Sequence, residues 1–235
     1  MVSVVCSTIR QEMLENVFQN YERQVQKEKE LIIILNRNSM DIRKWRKRAK
    51  KSKGVTVYQL PEKTTLGECL NYGIEKAKYD YIAKFDDDDY YAPNYLLHAL
   101  DALKQTNADV VGKKTLYVYV KNLKTLAVYN PGRENRFLKS GIMLGGTLLF
   151  KKQITEKVKF PHRNRGEDKV FLKRCKNLGL KLYSTDKCNY AYLKTATPGH
   201  HTWRITTDRL LKKSSIVCKT DDYKPLIECT KSDSK

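Results

Sequence analysis

The chain has 235 residues and a formal net charge of +20, from 46 Lys and Arg against 26 Asp and Glu. With 40% apolar residues it can bury a core, so the charge does not signal disorder. No apolar run approaches the ~20 residues of a membrane-spanning helix, and Met1 to Arg10 reads as a strand rather than a signal peptide. Six scattered cysteines (Cys6, Cys69, Cys175, Cys188, Cys218, Cys229) form no Cys-x-x-Cys pair and are expected to be free thiols in a reducing cytoplasm. The excess charge calls for an anionic partner: nucleic acid, an anionic membrane face, a phosphorylated polymer or a nucleotide.

Strand and helix signals alternate through the first half. Val2 to Cys6 is a short apolar run of the buried-strand type. Met13, Val17, Tyr21 and Val25, with Leu14 and Phe18, form one helical stripe. Leu31 to Leu35 is a second strand, and Ser39 is expected to cap a helix with Asp41 in its first turn. Val55 to Tyr58 is a third strand, and Thr65 with Glu68 matches a capping box. Tyr81 to Phe85 is a fourth strand, and Pro93 suits the first turn of the next helix. This order predicts an α/β fold with a mostly parallel sheet flanked by helices, its ligands beyond the carboxyl ends of the strands.

The second half reads differently. Leu116 to Tyr129 predicts two strands around an Asn122-centred turn, and Ile142 to Phe150 a strand-like segment. Gly166 to Leu178 predicts a helix, Trp203 to Lys213 a last one, and the residues from Ser214 a peripheral tail. The domain boundaries expected are 1–208 for one domain, divided at 107/108, and 209–235 for the tail.

Asp86 to Asp89 is the most informative stretch. Four adjacent carboxylates repel one another, and a hard divalent cation, Mn2+ or Mg2+, would relieve that repulsion. Asp86 and Asp88, in alternation, can point to one side of an extended segment. A solvated acidic turn is the plainer alternative.

Strand, acidic cluster, two aromatics and then proline resembles the Asp-x-Asp segment of inverting glycosyltransferases of family 2, which have the Rossmann-like GT-A fold. The resemblance extends in order over about residues 2 to 205, through Ser7 and Thr8, Asn71-Tyr-Gly73, Gly145 to Phe150 and Glu167-Asp168. It implies a donor half and an acceptor half, with a smaller mixed sheet on the acceptor side. It implies a nucleoside diphosphate sugar as donor, a UDP-sugar favoured, and a carbohydrate or phosphate-bearing acceptor. Ser7, Thr8, Arg10, Asn36, Asn38, Asn71, Asp86 and Asp87 are expected to bind the donor. Asp86, Asp88 and His201 are expected to hold the metal, Gly145, Gly146 and Arg165 to face the acceptor. Asp168 is the expected general base, with Glu167 beside it; helix-start acids that complement the dipole are the bland alternative.

Where the family usually has Asp-Asp-Gly-Ser, this chain has Asn36-Arg37-Asn38-Ser39, which puts base recognition in question. Arg43 to Lys53 is densely basic and suits either plain solvation or an anionic surface such as the inner face of a membrane. A basic nucleic-acid-binding protein and an inactive nucleotide-binding relative are the competing functions. No helix-turn-helix, zinc-finger or RNP-like signature supports the first.

Overall fold

The computed structural model describes residues 1–139, 142–195, 203 and 205–229. The first half follows the expected alternation: β1 (Val2–Thr8), α1 (Leu14–Glu22), β2 (Lys29–Leu35), α2 (Ile42–Ala49), β3 (Val55–Gln59), α3 (Leu66–Lys76) and β4 (Tyr81–Phe85). Thr65 and Glu68 form the reciprocal capping box of α3. The cap of α2 is Asp41 and not Ser39: its carboxylate accepts from the amides of Arg43 (2.9 Å) and Lys44 (3.3 Å). A short β5 (Tyr90–Tyr91) leads to α4 (Tyr95–Thr106), with Pro93 just ahead of the Asn94 cap.

The second half comprises β6 (Val110–Gly112), β7 (Leu116–Val120), β8 (Thr125–Tyr129), β9 (Arg136–Phe137), β10 (Leu149–Lys151), α5 (Glu167–Asn177), β11 (Leu182–Ser184) and β12 (Tyr190–Lys194). The chain then adds α6 (Thr207–Leu211), β13 (Ser214–Lys219) and α7 (Lys224–Ile227). The Asn122 turn joins β7 to β8, closed by Lys124 in the left-handed region.

Eight strands form one sheet in the order β3-β2-β1-β4-β10-β6-β11-β9. β3, β2, β1 and β4 are parallel, and β10 runs antiparallel between β4 and β6. The chain winds outward from β1 to β3, then returns to place β4 on the other side of β1. A reversal of that kind opens a crevice at the carboxyl ends of the two strands. A smaller mixed sheet has the order β13-β8-β7-β12-β5.

Side chains from the two faces of the large sheet enter two cores. Val4, Cys6, Leu31 and Ile33 meet Phe18, Trp45 and Leu96 on one face. Val5, Ile32 and Ile34 meet Leu70, Ile74, Phe171 and Leu172 on the other. The loop ahead of α5 closes over the start of α3: Asn164 caps the Leu66 amide at 2.8 Å, and Gly67 donates to the Arg163 carbonyl at 3.2 Å. A Cβ on Gly67 would lie 2.9 Å from the Pro161 carbonyl carbon. Gly67→Ala should therefore destabilise the fold by about 1–3 kcal/mol despite the better helix propensity of Ala, read as a lower denaturation midpoint.

Four expectations are corrected. Ile142 to Phe150 is not a strand throughout: Gly145–Thr147 forms a 3-10 turn and pairing begins only at Leu149. The last helix is short, and Trp203 instead packs on Tyr129 and Tyr192. The segment read as a peripheral tail is integral: β13 pairs with β8, Ile227 is buried, and Tyr223 stacks on Tyr119. Cys188 and Cys229 form a disulfide, so not all six cysteines are free and their scatter is no longer an argument for a reducing compartment. Among the described residues no helix is long and apolar enough to cross a membrane.

Candidate active site

The crevice between β1 and β4 is where the acidic run lies. β4 ends at Phe85, whose ring stacks on Tyr91 with centroids 3.7 Å apart. The Tyr91 hydroxyl is buried; it accepts from the Asp86 amide (2.7 Å) and donates to the Gly146 carbonyl (2.6 Å). One tyrosine thus ties the start of the acidic run to the Gly145–Thr147 turn.

Each of the four carboxylates has a partner within the chain. Asp86 receives the Lys84 ammonium at 2.5 Å. Asp87, 3% exposed, accepts from the Thr8 hydroxyl at 2.5 Å and from two nitrogens of the Arg10 guanidinium. Arg10 also pairs with Asp88 at 3.0 Å. Asp89, 1% exposed, accepts the Tyr190 hydroxyl at 2.5 Å and the Leu193 amide at 3.3 Å. Burial pushes Asp87 up to about 6, with Asp88 adding to it, while Arg10 and Thr8 oppose the rise. Burial also raises Asp89 well above the usual carboxylate range, and Asp88 and Asp86 add to that. Asp89 therefore anchors the run to β12 from inside the core. Asp86 keeps the most open side chain of the two that alternate on β4's extension, at 37% exposed against 10% for Asp88.

The second group of acids comes from α5. Gly166 adopts φ +65, a left-handed conformation that starts the helix, and places Glu167 and Asp168 in its first turn. Asp168 is half-buried, and its Oδ1 accepts from the Lys169 amide at 2.7 Å. Glu167 is buried, and burial pushes it up to about 7 against the pull of Lys84. The Gly145–Gly146 backbone lies against both acid groups. A Cβ on Gly145 would lie 2.9 Å from the Asp168 Cβ; one on Gly146 would lie 2.6 Å from Asp86 Oδ2. Both carboxylates thus pack directly on adjacent glycines.

Lys84 is the residue that sequence reasoning missed. It is 5% exposed on β4, and although burial disfavours its charge, Asp86, Glu167 and Asp168 together raise its pKa. The available signal was a lysine inside the buried run Tyr81-Ile-Ala-Lys-Phe85. Tyr190, the partner of Asp89, carried no signal beyond β propensity.

The other expected donor residues divide. Thr8 and Arg10 stand at the crevice, while Ser7 lies against the Cys69 thiol. Asn36 is buried with its amide on the Pro61 carbonyl (2.9 Å), and Asn38 is exposed and paired with the Glu62 amide (3.2 Å). Two of the expected donor residues make their hydrogen bonds within the chain. Asn71 gives both ends of its amide to the Phe160 backbone, at 2.9 and 3.0 Å, and so anchors that loop. Asp87 is closed off by Arg10 and Thr8. Arg165 is exposed on the loop ahead of α5, and His201 lies outside the described residues. Gly145 and Gly146 are buried beneath the carboxylates and offer the acceptor side backbone only.

The donor set fits a hard divalent cation. Asp86 and Asp88 supply two carboxylates, and Mg2+ or Mn2+ commonly uses one or two with phosphate oxygens and water. Among the described residues no three Asp, Glu, His or Cys side chains converge into a complete cage. The basic excess stands apart from this site: Arg43, Lys44, Arg46, Lys47 and Lys50 are exposed on and just after α2, whereas Arg48 pairs with Glu15 and Glu22.

The sequence profile of "Glycosyl transferase family 2" matches residues 3–162. The chain belongs to this family. It has the expected α/β architecture of one large, mostly parallel sheet and a smaller mixed one. Solved structures share the fold. TarS 1-349 of S. aureus in complex with UDP-GlcNAc matches with a TM-score of 0.64 and 17% identity, over 88% of this chain and 61% of that one. The mannosyltransferase PcManGT of Pyrobaculum calidifontis, in complex with GDP-Man and Mn2+, matches with a TM-score of 0.63 and 16% identity, over 96% of this chain and 67% of that one. The chain thus spans about three fifths of the TarS 1-349 chains it matches. No curated protein sequence matches it significantly.

Proposed function

We propose that this protein is a metal-dependent inverting glycosyltransferase that moves a sugar from a nucleoside diphosphate sugar to a hydroxyl of a carbohydrate or phosphate-bearing acceptor. The observation that carries the reading is the glycine pair at the crevice: Asp86 packs on one glycine and Asp168 on the next. Two carboxylates from distant parts of the chain thereby pack on one turn.

In this mechanism the acceptor oxygen attacks the anomeric carbon from the face opposite the diphosphate. Asp168 takes the hydroxyl proton as that bond forms, the bond to the diphosphate oxygen breaks, and the configuration inverts. Asp86 and Asp88 would hold the divalent cation, which when bound stabilises negative charge on the departing diphosphate. Arg10 fixes Asp87 and Asp88, and Tyr91 fixes the Asp86 backbone, so the carboxylates are oriented before the donor arrives.

The nucleotides named with the solved relatives make UDP the first candidate and GDP the second. The test is thermal unfolding with UDP, GDP, CDP or dTDP, each with and without Mn2+. One nucleotide should raise the midpoint, and only with Mn2+; the stabilisation is about 2.7 kcal/mol at a hundredfold excess over Kd. No rise with any of them would favour an inactive relative or a nucleic-acid-binding protein.

A further inference from the structure

The acidic run does not need a metal to relieve its repulsion, because the chain carries its own cations. Both carboxylates placed to hold a divalent ion pair with buried or half-buried basic groups: Asp86 with Lys84 at 2.5 Å, and Asp88 with Arg10 at 3.0 Å. Arg10 is shared with Asp87. Lys84 is the more confined of the two basic side chains, 6% exposed against 19% for Arg10. It extends from a central strand, between β1 and β10. Its ammonium occupies Asp86 Oδ1, while Asp86 Oδ2 lies against Gly146.

A divalent ion that approaches Asp86 meets a carboxylate already neutralised and a like charge a few ångströms behind it. That repulsion is strong in a partly buried site, where screening is weak. A nucleoside diphosphate changes the balance. Its phosphate oxygens bring the negative charge that Lys84 has cancelled, and they supply the ligands that two carboxylates alone leave missing.

We propose that Lys84 is a positioning residue, a built-in cation that competes with the divalent ion for Asp86, so that the metal binds tightly only together with the nucleotide diphosphate. This rests on the donor reading given above. Lys84 holds the acidic run in shape while the site is empty, and it makes metal and nucleotide mutually dependent. By linkage, each then tightens the other by the same factor.

The experiment is a titration of the purified protein with Mn2+ alone, with free Mn2+ followed by electron paramagnetic resonance, then repeated with saturating UDP. The wild type should bind Mn2+ weakly alone and at least about tenfold more tightly with UDP. Lys84→Met should bind Mn2+ alone at least about tenfold more tightly than the wild type and lose most of the gain from UDP, while turning over more slowly. A lysine with a merely structural role would leave Mn2+ affinity unchanged or lower it on removal.

Equal or weaker Mn2+ binding by nucleotide-free Lys84→Met overturns the proposal. If that variant does not melt cooperatively, Lys84→Gln, which keeps a hydrogen-bond donor for Asp86 without the charge, takes its place. If neither variant folds, the wild type decides: Mn2+ affinity unchanged by a nucleotide that itself binds overturns the proposal, and an affinity raised about tenfold supports it. Failure of the donor reading looks different. Then no nucleotide binds under any condition, and the Mn2+-only comparison of variant with wild type still decides whether Lys84 competes for Asp86.

Discussion

Asp168→Asn should abolish sugar transfer while leaving the fold and nucleotide binding in place. The expected loss is about 10^3-fold in turnover, within the range that removal of a general base produces. Three features of the site separate this outcome from a general loss of structure. The Oδ1 of Asp168 accepts from the Lys169 amide at 2.7 Å, and an asparagine carbonyl keeps that bond. The lost charge at the start of α5 costs only about 0.3–1 kcal/mol of dipole stabilisation. The carboxylates assigned to the metal and diphosphate follow β4, and Asp86 packs on Gly146, whereas Asp168 packs on Gly145. Single-turnover transfer, paired with a nucleotide thermal shift on the same protein, reads both halves of the expectation. Turnover within a few-fold of wild type would remove Asp168 from the mechanism.

The parts of the fold that were legible in the sequence are those set by local pattern. β1 to β4 are short runs of β-branched and apolar residues, and Thr65 with Glu68 is a three-residue code for a helix start. The acidic run announced itself by following a buried strand. What stayed hidden depended on partners distant in sequence. Ser39 and Asp41 are equally good caps by type, but the Gln11 side chain accepts from both the Asp41 amide and the Trp45 indole, each at 3.1 Å, which settles where α2 begins. The apolar run through Leu148 and Leu149 hid a 3-10 turn, because a turn buried against two carboxylates needs apolar neighbours as much as a strand does.

β13 lacked alternation because Ile216 and Val217 both remain exposed; its pairing with β8 could not be read from its own residues. Cysteine connectivity is likewise not deducible from spacing. In the site, residue type alone did not show which side chains are already engaged within the chain. Asn71 and Asp87 have donor chemistry, but their hydrogen bonds close inside the protein, which only coordinates reveal. Lys84 was open to notice, since a charged residue in a buried strand must have a counter-charge, and the nearest carboxylate is two residues on.

Gly145→Ala and Gly146→Ala should each cost activity by about 10^2-fold or more, and by different routes, because an ångström of misplacement at reacting groups is enough for that loss. Neither glycine has a positive φ, so alanine meets no backbone penalty at either position, and the effect is one of space. At Gly145 the new Cβ would lie 2.9 Å from both Cβ and Cγ of Asp168, which must shift as a unit. Transfer should then fall with nucleotide affinity retained, as in Asp168→Asn. At Gly146 the new Cβ would lie 2.6 Å from Asp86 Oδ2, 2.9 Å from its Cγ and 3.2 Å from the Tyr91 hydroxyl. That hydroxyl bridges the Gly146 carbonyl and the Asp86 amide, so the whole start of the acidic run is displaced. Nucleotide binding in the presence of Mn2+ should weaken here, which Gly145→Ala should leave intact. Overpacking of this kind costs about 1–3 kcal/mol, so melting curves of both variants belong with the kinetics. The opposite pattern, in which nucleotide affinity is lost at Gly145 and kept at Gly146, would reverse the roles of the two carboxylates. Wild-type activity in both variants would show that neither carboxylate is held by this turn during the reaction.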